Sequence, residues 1–419
     1  MGRLTPRAEV DQNNPSRTLL AMPAMTEGSP MGFVESEDAL HEEAARIAGS
    51  DDFGDPSYLE GLRILLAAYD AEARFNDYGR AAARRMVLDT LVKRLRAEEQ
   101  WAAAPEVLGH EIQAPIVICG LVRTGSTALH YLMGQDPDVQ PLQYWLACNP
   151  QPRPARSEWA ANPDFQRAKA EIDAMYEADA SLKAVHFMMP DGPEECRHLL
   201  MQEFTDDGFE VNNHVPSYSE WYQQADMLMS YRRHRDLLKL IGSTDTRRPW
   251  LLKYPVHVRF LRTFLEIYPD ACIVQTHRDP LAVFPSYVSL ISGFRALNEA
   301  PIDKPEIARR QLELWATGLE DAIDLRRKRD ASQFYDVHFS DFVSDPVGTV
   351  RSIYSHFGRS LSDAGELALQ AWQEQNPQHK HGRHEYTREA LEIGITNQVI
   401  LDRFGEYMDY YGLKPESQP

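Results

Sequence analysis

The chain has 419 residues, 43% of them hydrophobic and 26% charged, which is enough for a large core and an accessory layer. Forty-four Lys and Arg stand against 63 Asp and Glu, a formal charge of −19. That balance excludes general binding to nucleic acid or to an anionic membrane, so any anionic ligand must be held by a local cluster of cations.

Residues 1–35 mix Pro, Asn, Ser, Gly and Met without periodicity and predict a flexible tail. The start of the chain lacks a charged-then-apolar leader pattern, and no run approaches the ~18 apolar residues of a membrane span. The expectation is a cytoplasmic protein without an integral membrane segment. From 36 to about 110 the pattern is helical. Leu62, Leu65, Leu66 and Tyr69 form one apolar stripe, and Leu88, Leu91, Val92 and Leu95 form another. This helical region is expected to pack on the remainder of the chain.

Residues 114–130 read APIVICGLVRTGSTALH. Ile116 to Cys119 is an apolar run short enough for a buried parallel strand, and Gly120 and Gly125 permit a tight turn into a helix. Backbone amides there can surround an anion at the positive end of the helix. The spacing Gly120-x4-Gly125-Ser126-Thr127 nearly matches the nucleoside-triphosphate loop, which requires a Lys after the second Gly. Here Ser126 takes that position and the cation is Arg123, inside the loop. A phosphate ligand other than a nucleoside triphosphate follows.

The stretch 140–248 is rich in Trp, Tyr, Met and His, with helical signals at 158–180, 192–203 and 218–242, and predicts a helical insert over the site. Strand signals return at Trp250–Lys253, Ala271–Thr276 and Gln333–Val337. Helices are predicted at 256–267, from Asp279-Pro280 onward with a kink at Pro285, at 304–329, 346–358, 363–374 and 397–411. Alternation of strand and helix implies an α/β fold with a parallel, P-loop-type sheet flanked by helices. One α/β domain over 111–413 is expected. The four cysteines, Cys119, Cys148, Cys196 and Cys272, lack metal-type spacing and read as buried reduced thiols.

Four segments in order carry a family resemblance: Gly120-Leu-Val-Arg-Thr-Gly-Ser-Thr127, Leu252-Lys-Tyr-Pro-Val-His257, Thr276-His-Arg-Asp-Pro-Leu-Ala282 reaching Ser286, and Phe339-Ser-Asp-Phe-Val-Ser-Asp-Pro346. With Asp52-Phe-Gly-Asp55 and the segment His186 to Cys196, they resemble the sulfotransferase superfamily that uses 3′-phosphoadenosine-5′-phosphosulfate, in its bacterial family 3-like branch. The resemblance covers about 50 to 412. It implies that Arg123, Thr124, Gly125, Ser126 and Thr127 cradle the 5′-phosphosulfate, and that Arg278 with Ser286 binds the 3′-phosphate. Arg383, in the basic segment His379 to Tyr386, would add a contact to that phosphate.

Lys253 ends a strand, where α/β proteins place ligands, and by resemblance would stabilise the leaving group. His257 is one candidate for the base that deprotonates an acceptor; Glu195 and His186 are its rivals. As structural alternatives, His257 would cap or pack, and Glu194 and Glu195 would simply favour a helix start. The implied reaction moves a sulfonate from that co-substrate to a hydroxyl, or an amine, of a small or lipophilic acceptor, with no metal. A homodimer is compatible with the long helical N-terminal part. Two other readings stand beside it: a P-loop kinase or nucleotidase, which would need the missing Lys and a Mg-holding Asp, and a non-catalytic nucleotide-binding protein of the same fold.

Overall fold

The structure, a computed structural model, describes residues 31–178, 183, 187–377 and 393–416. Its centre is a five-stranded sheet in the order β2-β3-β1-β4-β5, made of β1 (Ile116–Gly120), β2 (Gln140–Pro141), β3 (Trp250–Lys253), β4 (Cys272–His277) and β5 (Phe334–His338). Every pairing is parallel: Ile116 lies opposite Leu251 on one side and Cys272 on the other, and Gln275 lies opposite Asp336.

Alternate side chains of these strands enter two different cores. Val117, Cys119, Leu252 and Ile273 join the larger core with the N-terminal helices and the helices Leu228–Ile241, Pro280–Asn298 and Lys304–Arg326. Ile116, Ile118, Leu251 and Val274 face the smaller core, with Leu129 and Met133 of the helix Ser126–Met133, and with Val350, Ile353 and Leu369. Helices thus cover both faces of the sheet, which explains strands that read as unbroken apolar runs.

The expected N-terminal region forms α1 (Glu37–Ala48), α2 (Tyr58–Ala71) and α3 (Asp77–Ala103), and both predicted stripes are buried. Phe33, assigned to the tail, is instead in the core and packs its ring at a tilt against Tyr69 and Phe75. An ionic knot joins this region to the insert. The fully buried Arg94 of α3 donates to the carbonyls of Phe53, Asp55 and Gln202 and pairs with Glu203. Arg233 pairs with Glu98 beside it. The segment Asp52 to Asp55 therefore serves Arg94 through its backbone.

The insert is more broken than its pattern suggests. The helix predicted at 218–242 divides into Pro216–Gln224 and Leu228–Ile241, because Ala225 is extended and Asp226 accepts from the Leu228 amide at 2.9 Å. The helix predicted from 192 begins at Arg197. Pro193 bridges Gln143, and the Glu194 amide donates to Leu142 O at 2.7 Å, so residues 193–195 are held extended. Similarly, 397–411 divides at Phe404. The helix Pro280–Asn298 runs through Pro285 and has the length and apolar composition of a membrane span, but most of it is buried inside the fold.

Candidate functional site

The site lies at the carboxyl ends of β1, β3 and β4. Gly120 has φ 128°, and a Cβ there would stand 2.6 Å from Thr276 O; Gly125 has φ 88°, and a Cβ there would meet the Phe339 ring at 2.9 Å. Only glycine serves either position. Arg123 is also left-handed, at φ 63°, a conformation that costs a non-glycine residue on the order of 1 kcal/mol. The Thr124 hydroxyl fastens the turn, donating to Leu121 O and lying 2.6 Å from Thr276 Oγ1. Its side chain is thus spent inside the loop, which leaves its amide for a ligand. Gly125 provides no side-chain cap to the helix Ser126–Met133, so the first helical amides, with the Ser126 and Thr127 hydroxyls, suit an anion.

Lys253, almost fully buried, ends β3 beside this loop. Its ammonium donates to Thr127 Oγ1 at 3.0 Å and forms an ion pair with Glu195. The backbone reinforces that pairing, since the Cys196 amide donates to Lys253 O at 3.0 Å. Three of the residues named from sequence therefore meet at one point. Of the other two candidate bases, His257 does not join them. His257 is wholly enclosed, 3.0 Å from Tyr231 Oη and 4.7 Å from the Phe264 ring centroid, and burial pushes its pKa well below the usual imidazole range. His186 lies outside the described residues, as do Arg383 and its basic segment.

Arg278 follows β4 and lies over the Phe339 ring, 4.0 Å from its centroid. Its guanidinium grips Glu416 with two hydrogen bonds of 2.7 and 3.1 Å, while the Glu416 amide donates to Asp279 Oδ2. A planar oxyanion already occupies the fork of Arg278. Ser286 is buried on the helix Pro280–Asn298, whose start Asp279 caps.

Four neighbours have surroundings that the sequence reading did not give them. Phe339 packs against both Gly125 and Arg278, and Glu416 comes from a C-terminal segment with no motif. His130, hidden on an apolar helix, has its pKa pushed down to about 3 by burial and then by Lys253, and its Nε2 has no partner among the described residues. Glu194 is the fourth. Burial first, and Glu195 second, push its carboxyl up to about 7.

Comparison with known proteins fits this geometry. A sulfotransferase family profile matches residues 115–363, more than half of the chain. The chain belongs to the sulfotransferase family. This sulfotransferase is 37% identical to the crystal structure of sulfotransferase STF1 from Mycobacterium tuberculosis H37Rv, at a TM-score of 0.82 over 90% of this chain and 100% of that one. Sulfotransferase STF9 from Mycobacterium avium, 23% identical, shares the fold at a TM-score of 0.85 over 94% of this chain and all of that one. Among curated relatives, the ω-hydroxy-β-dihydromenaquinone-9 sulfotransferases Stf3 of Mycobacterium bovis and Mycobacterium tuberculosis are each 26% identical over 317 residues, 71% of this chain and 75% of the relative. As a sulfotransferase the protein is a transferase enzyme that takes a sulfonate donor, which sets aside the kinase and non-catalytic readings.

The raised Glu194 carboxyl carries a pH signature. The folded state binds this proton more tightly than the unfolded chain does, so its contribution is present below about pH 4.5 and is lost as pH rises through 7. In urea unfolding, Glu194→Gln is expected to gain on the wild type by on the order of 2 kcal/mol between pH 4.5 and pH 8. A difference that does not change with pH contradicts this.

Proposed function

We propose that the enzyme transfers a sulfonate from 3′-phosphoadenosine-5′-phosphosulfate to a hydroxyl of a lipophilic acceptor. The observation that carries the reading is the Lys253 ammonium shared between Thr127 and Glu195 at the carboxyl end of β3. A cation fixed beside a phosphate-type loop suits the oxygen that leaves, and a carboxylate against the same cation suits the hydroxyl that attacks.

In this reading the loop amides, Arg123 and the Ser126 and Thr127 hydroxyls bind the phosphosulfate. Arg278, with Ser286 nearby in sequence, binds the 3′-phosphate; the carboxylate it grips in the structure is, like that group, an anion that accepts two hydrogen bonds from one guanidinium. Glu195 takes the acceptor proton as the acceptor oxygen bonds to sulfur and the sulfur–oxygen bond to phosphate breaks. Lys253 and the loop amides then hold the charge left on the phosphate. His257, enclosed among aromatic rings, is set aside as the base in favour of Glu195. Residues 111–413 would form the catalytic unit and the N-terminal helices its support, with the larger core continuous between them.

A lipophilic acceptor is favoured by the segment that leads to Glu195. Phe187, Met188 and Met189 are only half buried there, and Tyr131 lies between Phe187 and Trp372 at centroid distances of 5.7 and 6.0 Å. Curated relatives named for a hydroxylated menaquinone derivative point the same way. Among the donors of sulfonate, the adenosine form is favoured by the second anion site at Arg278.

Steady-state assays with that donor and a panel of long-chain alcohols test the roles. Lys253→Ala and Glu195→Gln are each expected to lower kcat by about 10²–10³-fold while nucleotide affinity changes by less than about three-fold. Full activity in either variant overturns its assigned role. At the second anion site, Glu416→Ala is expected to tighten binding of 3′-phosphoadenosine-5′-phosphate by about two- to five-fold, the effect of removing a partly exposed competing ion pair. Unchanged affinity would separate Arg278 from the 3′-phosphate.

A further inference from the structure

Directly behind the turn that carries Glu195, three chemistry-bearing side chains from three elements meet inside the larger core. They are Cys196, His234 from the helix Leu228–Ile241, and His257 from the helical turn Pro255–Phe260. One ligand atom from each lies within 4.8 Å of the other two. All three residues have zero solvent exposure.

Each imidazole is oriented from behind by a tyrosine hydroxyl. His234 Nδ1 lies 2.8 Å from Tyr268 Oη, and His257 Nδ1 lies 3.0 Å from Tyr231 Oη. With Nδ1 engaged, each ring offers Nε2, and both Nε2 atoms are buried without a hydrogen-bond partner among the described residues. An orphaned buried polar atom costs about 1–3 kcal/mol, and two such atoms beside one thiol are better explained by a shared ligand than by chance. Outer-partner orientation of Nδ1 with Nε2 left over is how proteins set histidines on metals.

We propose that Cys196, His234 and His257 form an internal site for one closed-shell metal ion, Zn²⁺ or Cu⁺. Binding forms a metal–thiolate bond and two metal–imidazole bonds, and the Cys196 proton leaves to solvent; no electron is exchanged. Thiolate and imidazole are the donors that select these ions over Mg²⁺ or Ca²⁺. Cu⁺ with one thiolate is neutral and is satisfied by three ligands, whereas Zn²⁺ carries one residual charge and takes a fourth ligand such as water. The ion has a mechanical role. Cys196 is next to Glu195, and its amide is bonded to Lys253 O, so the site pins the turn and the strand end that hold the Glu195–Lys253 pair. It stands apart from the sulfonate chemistry and needs no change in that reading.

The test uses the full chain expressed without an affinity tag. Metal content by plasma mass spectrometry is expected to be about one equivalent of zinc or copper per chain. The ion persists when His379, His381 and His384 of the basic segment are all changed to Ala, and falls below about a tenth of an equivalent in Cys196→Ser and His234→Gln. Metal-depleted protein regains thermal stability with Zn²⁺, or with Cu⁺ under anaerobic reducing conditions, whichever the site selects. Co²⁺ added to it gives a thiolate charge-transfer band, a readout that does not depend on the core variants folding. A folded wild type that holds no ion and takes up none of the three overturns the proposal. Loss of the ion in the triple His variant, with retention in Cys196→Ser, overturns it equally.

Discussion

A positive charge buried at the carboxyl end of β3 is the constraint on which the rest of the site depends. Lys253 closes β3 almost out of water, where an unpaired ammonium would cost several kcal/mol. Glu195 meets that demand as a charge, and Thr127 as a hydrogen-bond acceptor. Because the carboxylate must come to Lys253, residues 193–195 are held short of the helix, pinned by the Glu194 amide at Leu142 on one side and by the Cys196 amide at the Lys253 carbonyl on the other. The same pinning leaves Glu194 buried beside a second carboxylate, which is why its proton is held to about pH 7. One ion pair thereby sets the course of the insert, the position of the proposed base and the protonation of its neighbour.

A second linkage joins the two proposed anion sites. Phe339 follows β5 and fills the space that a side chain at position 125 would need, and its face supports the Arg278 guanidinium. The glycine that makes the loop is therefore also what lets the downstream cation approach. The far side of β4 is braced independently: His277 lies 2.8 Å from Asp336 and stacks on Tyr411, and Arg326 grips Asp336 with two bonds of 2.7 Å. From Tyr411 the chain continues only five residues to Glu416, so this brace delivers the Glu416 side-chain carboxylate to Arg278.

Much of this was legible in the sequence where local pattern and tertiary role coincide. The strands containing Val117, Leu252 and Ile273 carry short apolar runs because helices cover both faces, and the loop announces itself through Gly120, Arg123 and Gly125. Other features depend on partners far along the chain. β2 is two residues long and takes its place from β3, with no alternation of its own to read. Glu194 and Glu195 look like a helix's acidic first turn, and only the bridge from Pro193 to Gln143 shows that the helix has not begun. His257 has the residue type and spacing of a base, yet Tyr231, Tyr254 and Phe264 close around it. Cys196, His234 and His257 are separated by dozens of residues and come together only through packing, so no spacing rule reveals them.

The proposed donor needs two anion sites, one at the loop and one at Arg278, to hold a nucleotide that bears phosphates on both its 5′ and 3′ oxygens. Calorimetric titration of the wild-type chain with 3′-phosphoadenosine-5′-phosphate, set against adenosine 5′-monophosphate, measures that directly. The account predicts one nucleotide bound per chain, with affinity lower by about 30-fold or more when the 3′-phosphate is missing, the worth of a charge-assisted bidentate contact. Equal affinity for the two nucleotides, or binding of neither, would contradict it.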